Sequence, residues 1–151
     1  MKINKFDKVL IAMDYNPTSI KVAEVGFTIA KAMNAEVILV HVIEDLVTYS
    51  LTYLNMGPLQ LDSVMELKDA SEQFLQKTKK LLGDMAIQTV VKEGDFAECI
   101  LSTAQELDVD VIVMGSHSRK WLENIVMGSV TEEVLRKTTT PIFIIPTKKH
   151  D

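Results

Sequence analysis

The densest set of chemistry-bearing residues lies at 114–130, Met-Gly-Ser-His-Ser-Arg-Lys-Trp-Leu-Glu-Asn-Ile-Val-Met-Gly-Ser-Val. An apolar run ends at Gly115, small and polar residues follow, and Gly128-Ser129 opens a helical pattern. Glycine lets backbone approach a ligand closely. A helix N-terminus offers N–H groups without intrahelical partners and the positive end of its dipole, a ready site for an anion. Ser116, Ser118 and Ser129 add hydroxyl donors. The pattern suits a phosphate group, and it equally suits a plain glycine turn before an ordinary helix start.

Elsewhere the chemistry is sparser. Asp14 follows the first apolar run and is either a ligand-facing carboxylate or a cap for the helix beginning near Pro17. His41 sits inside an apolar run, where a histidine is expected to be a hydrogen-bonded core residue, and with His117 and His150 it makes no metal-ligand spacing. No metal site is expected. Cys99 lies beside Ile100 on an apolar helical side and reads as packing rather than a reactive thiol. Arg119 and Lys120 are either partners for a terminal phosphate or solvated loop charges. No GxxxxGK[ST], no GxGxxG after the first strand and no GxSxG occurs, which disfavours P-loop NTPases, dinucleotide dehydrogenases and serine hydrolases. His117 is the one evident candidate for a general base, so at most slow catalysis is expected and no catalytic residue is assigned.

The elements that must position these residues alternate between two patterns. Residues 8–13, 35–43, 86–92, 109–114 and 141–145 are short, apolar and rich in Val and Ile, as strands buried on both faces are. Between them, 18–33, 62–82, 95–107 and 127–138 carry apolar residues at spacings of three and four, with Asp95 as an N-cap and Gly83 as a C-terminal stop. This β-α alternation predicts an α/β fold, a parallel open sheet with helices on both faces, in one domain over 1–151. Ligands of such sheets bind outside the carboxyl ends of the strands. That rule nominates Ala12–Asn16, Val42–Asp45, Gly94-Asp95 and Gly115–Gly128. Residues 44–61 interrupt the alternation with a long connection of the kind that is usually functional.

Composition narrows the partners. Sixteen basic against 21 acidic residues give a net charge of −5, which disfavours a nucleic-acid binder. No apolar run is long enough to span a bilayer. Lys2, Lys5, Asp7 and Lys8 charge the opening residues, so no secretory signal is read there. With a single cysteine, these features point to the cytoplasm.

The 114–130 segment also resembles the signature of the universal stress protein family, whose nucleotide-binding members carry Gly, two residues, Gly, nine residues, then Gly-Ser/Thr. Gly115 takes the first position, Ser118 stands where the second glycine would be, and Gly128-Ser129 fill the last two. Lys8–Asp14, Val40-His41-Val42, Val109–Gly115 and Pro141–Pro146 resemble the family's other strands in the same order. The resemblance implies an adenine nucleotide alpha hydrolase-like fold, a five-stranded parallel sheet of order 3-2-1-4-5.

It also implies binding of ATP, or ADP or AMP, with Mg²⁺ held mainly by the phosphates. By matching position, Ala12 and Val42 would line the adenine pocket and Asp14 would sit near the ribose. Met114, Gly115, His117 and Ser118 would surround ribose and phosphates. Gly128, Ser129 and Val130 would bind phosphate. A homodimer through the 141–146 strand and an unidentified protein partner are further implications. The function expected is a nucleotide-binding stress-response regulator. The alternatives are a family member that binds no nucleotide and acts as an interaction module, favoured by Ser118, and a slow ATP hydrolase or nucleotidyl-transfer enzyme.

Overall fold

The computed structural model describes residues 5–14, 17–44, 61–116 and 128–147. Among these the chain runs β1 (Lys8–Met13), α1 (Ser19–Ala32), β2 (Glu36–Ile43), α2 (Leu61–Leu82), β3 (Gln88–Glu93), α3 (Phe96–Glu106), β4 (Val111–Gly115), α4 (Ser129–Lys137) and β5 (Ile142–Ile145). All strand pairs are parallel and the order is β3-β2-β1-β4-β5. Both the strand type and the strand order match the expectation. Most of the 44–61 connection lies outside the described residues.

Burial agrees with the strand order. Val9, Leu10 and Ile11 of the central β1 are wholly excluded from solvent, with Ile11 opposite Leu39 of β2 and Val113 of β4. Successive strand side chains point to opposite faces. Val9, Ile11, Leu39 and Val113 therefore pack under α1 and α2, through Val22, Ala23, Ala30 and Leu75. Leu10, Val40, Val42, Ile112 and Met114 pack under α3 and α4, through Ile100, Ala104 and Val134. Helices cover both faces, as a sheet with two apolar sides requires.

Close approach on the first face depends on small residues. Ala23, Gly26 and Ala30 of α1 are buried and recur at spacings of three and four. A Cβ at Gly26 would lie 2.8 Å from Ile11 Cδ1 and 3.2 Å from Val113 Cγ1. The buried polar positions of α2 are satisfied locally. Ser71 donates to Leu67 O at 2.9 Å and Thr78 to Phe74 O at 3.0 Å.

Element ends follow identifiable chemistry. Gly83, at φ +75°, follows α2 where the left-handed region favours glycine. The Asp95 carboxylate accepts from Glu98 N at 3.0 Å and starts α3. β3 begins two residues later than the apolar run suggests. The Asp84 carboxylate accepts from Ala86 N at 2.9 Å, and this turn takes up Ala86 and Ile87 before the sheet pairing starts.

Candidate functional site

The carboxyl ends of β1, β2 and β4 meet the first turns of α3 and α4 around a cleft of about 360 Å³. Ala12, Met13 and Asp14 come from β1 and its end, Val40 and Val42 from β2, and Met114 from β4. Phe96 and Ile100 of α3 and Val130 of α4 close it from the helix side. The walls are apolar apart from Asp14, the one charged group among the described lining residues.

A second, smaller cleft of about 250 Å³ shares Ala12, Asp14 and Met114 with the first. Thr18, Ser19, Val22, Gly115 and Thr147 complete it on the α1 side. A Cβ at Gly115 would meet Thr147 Cγ2 at 2.9 Å and Val22 Cγ2 at 3.1 Å, so packing alone calls for glycine there. Ser19 is 4% exposed, and its hydroxyl has no hydrogen-bond partner among the described residues.

The two ends of the glycine-bearing segment are tied together. Gly128 N donates to Ser116 O at 2.6 Å, and Thr131 Oγ1 donates to Gly115 O at 2.8 Å. Ser116 in turn holds the residue after β5. Its Oγ accepts from Thr147 N at 3.0 Å and lies 3.2 Å from Thr147 Oγ1. These bonds set the start of α4 beside the end of β4. Gly128 is the N-cap, and Glu132 N to Gly128 O at 2.9 Å is the first intrahelical bond. The N–H groups of Ser129, Val130 and Thr131 are thus those a helix leaves without intrahelical partners. With the helix dipole they make this corner suited to an anion.

Of the residues nominated from sequence, Ala12, Asp14, Val42, Met114 and Val130 line the main cleft, and Gly115 lines the adjoining one. Gly128 and Ser129 stand at the helix start on the same edge. His117 and Ser118 lie outside the described residues, as do Arg119, Lys120 and Trp121. Val40, Phe96 and Ile100 were not nominated. Their periodicity reads as core, and they also face the cleft. Phe96 directly follows Gly94-Asp95, one of the four strand ends that the sheet rule points to.

Two other candidates resolve as structural. His41 is buried, with Nδ1 2.9 Å from Met13 O and its ring edge-on to Phe74 at 5.7 Å between centroids. A carbonyl only accepts, so Nδ1 carries the proton. The Cys99 thiol faces Glu93 O at 3.6 Å, and burial, then the nearby Asp95 carboxylate, push its pKa up, which disfavours the reactive thiolate. Among the described residues, no group of three or more His, Cys, Asp or Glu is placed to hold a metal ion. Among the described residues no helix is long and apolar enough to cross a membrane.

Comparison with known proteins gives this arrangement its context. The sequence profile of the universal stress protein family matches residues 5–146. The universal stress protein MJ0531 of Methanocaldococcus jannaschii is 30% identical over 150 residues, covering 98% of this chain and 86% of that protein. The solved structure of MJ0577, from the same organism, superposes with a TM-score of 0.75 at 27% identity, covering 97% of this chain and all of the other. Two more distant structures share the fold. One is a universal stress protein in complex with cAMP, at TM-score 0.66 and 19% identity, covering 96% of this chain and 100% of that one. The other is an Archaeoglobus fulgidus universal stress protein in complex with dAMP, at 0.60 and 18%, covering 93% and 98%. A five-stranded parallel sheet of order 3-2-1-4-5, with a profile match along nearly its whole length, places the chain in the universal stress protein family.

Proposed function

We propose that this chain binds an adenine nucleotide, ATP or its products ADP and AMP, in the main cleft and acts as a cytoplasmic regulator. The observation that carries this reading is the apolar slot lying against the start of α4. A base needs a flat apolar slot, and a phosphate needs oriented N–H donors at a helix start. Relatives solved with cAMP and dAMP support the adenine assignment.

In this reading Ala12 and Val42 take the base, and the Asp14 carboxylate accepts from ribose hydroxyls. Met114, Gly115, His117 and Ser118 follow the ribose towards the phosphates. Gly128, its own N–H taken by Ser116 O, lets the phosphates come close, Ser129 and Val130 donate to them, and Mg²⁺ is bound mainly by phosphate oxygens. Calorimetry of the purified protein with ATP and Mg²⁺ tests it, with micromolar to millimolar binding expected. Absence of heat with ATP, ADP, AMP and cyclic AMP would leave the interaction module as the better reading, the one Ser118 favours.

The same proposal includes a homodimer through 141–146. β5 is a sheet edge, its Phe143 is 42% exposed, and an apolar edge strand invites pairing. A second copy about a two-fold axis satisfies that edge. Phe143→Lys is expected to convert dimer to monomer in light scattering while leaving the thermal midpoint of the fold nearly unchanged. An unaltered protein that is monomeric at micromolar concentration, or a dimer that persists in the variant, would rule out this interface.

A further inference from the structure

We propose that Phe96 is the residue that grips the nucleotide base, so that the first turn of α3 determines whether a ligand is recognised by its base as well as by its phosphates. This inference rests on nucleotide binding in the main cleft. Phe96 is the aromatic side chain among the described lining residues of that cleft. It is partly buried, packed against the core beneath α3, and still contributes to the cleft wall. Ile100, one helical turn further on, lines the same wall, and Val40 and Val42 of β2 lie on the sheet side of the slot. An aromatic ring among aliphatic side chains in one apolar cleft suits a planar heteroaromatic base, which offers π faces rather than charge.

The start of α3, which carries this ring, is fixed by the residues just before it. Gly94 donates its N–H to Ile43 O at 2.9 Å, which fastens the end of β3 to the end of β2. Its φ of +140° is open to glycine and strained for other residues, so the chain turns sharply there. Asp95 then caps α3 through Glu98 N, and this makes Phe96 the first helical residue, at the rim of the cleft. A ring set on a capped helix start loses little freedom when a ligand arrives, and such preorganisation favours binding.

The test compares ATP with inorganic tripolyphosphate, both with Mg²⁺, by calorimetry on the full chain and on Phe96→Ala and Phe96→Leu. ATP is expected to bind the unaltered protein more tightly than tripolyphosphate. Phe96→Ala is expected to weaken ATP by roughly 10- to 100-fold, the range of alanine substitutions at base-stacking rings, while tripolyphosphate stays within about twofold. Phe96→Leu keeps apolar volume but not the ring, and is expected to lose ATP affinity by an intermediate factor. Should the alanine variant fail to fold, the leucine variant decides. Unchanged or tighter ATP binding in the variants, or an equal loss of both ligands, would overturn the role of Phe96 and leave nucleotide binding standing. Failure of the unaltered protein to bind ATP would overturn both.

Discussion

Gly128→Asp is expected to lower ATP affinity at least about 100-fold without unfolding the protein. Gly128 is the N-cap of α4, with φ −68° and ψ 157°, an extended conformation that aspartate adopts freely. Aspartate is among the best N-cap residues, because its carboxylate accepts from the N–H groups two and three positions on. They are the N–H groups of Val130, assigned to phosphate, and of its neighbour Thr131. The variant therefore blocks the donors and sets a negative charge against the phosphates. At about 4 Å and an effective dielectric constant near 20, two unit charges repel by about 4 kcal/mol, enough for the loss expected. Calorimetry with ATP and Mg²⁺, beside a thermal melt, separates the two effects. The expected result is a midpoint equal to or above that of the unaltered protein, with no binding heat. Retained ATP affinity would remove the start of α4 from the phosphate site.

Gly26→Leu is expected to cost about 3 kcal/mol and to lower the thermal midpoint by about 10 °C. The Cβ alone would stand 2.8 Å from Ile11 Cδ1 and 3.0 Å from its Cγ1, and a leucine adds three more carbons in the same direction. Ile11 cannot yield easily. It belongs to the central strand, is wholly buried, and faces Leu39 and Val113 along the sheet. Relief must come from lifting α1, which loosens Val22, Ala23 and Ala30 as well. Thermal unfolding followed by circular dichroism measures the effect. A midpoint within about 2 °C of the unaltered protein would show that α1 rides more loosely on the sheet than these distances imply.

Strands buried on both faces were the most legible part of the chain. β1, β2 and β4 read as continuous Val, Ile and Leu because each face meets a helix, and their limits nearly coincide with the apolar runs. β3 was less sharp. It lies at the edge, its residues are exposed or half-buried, and Ile87 is buried while belonging to the turn. The face of α2 was legible despite Ser71 and Thr78, since both hydroxyls bond back to carbonyls four residues earlier and can sit inward. Strand order came from the family resemblance, because apolar runs alone do not say which strand is central. The strand-end rule reached the cleft through Ala12, Asp14 and Val42, and the family resemblance added Met114. It stopped short of Phe96 and Ile100, because the spacing that packs a helix on a sheet also lines a slot between them. Val9–Ile11 and Val111–Met114 share the property that made them readable, burial at the middle of the sheet.

The pairing of β1 with β4 also has a kinetic consequence. Val9 lies beside Val37 on one side and Val111 on the other, so one neighbour is close in the chain and the other distant. Contacts that close long loops form slowly, which leaves β1, β2 and β3 free to zip together before β4 and β5 arrive. The cleft straddles this seam, with Ala12 and Val42 from the early half and Met114 and Val130 from the late one. An occupant touches both halves and must leave before they can part. By mass action it lowers the population in which β4 and β5 are undocked, and with it the chain's exposure to proteases. The cellular lifetime of the protein would then follow the supply of whatever fills the cleft.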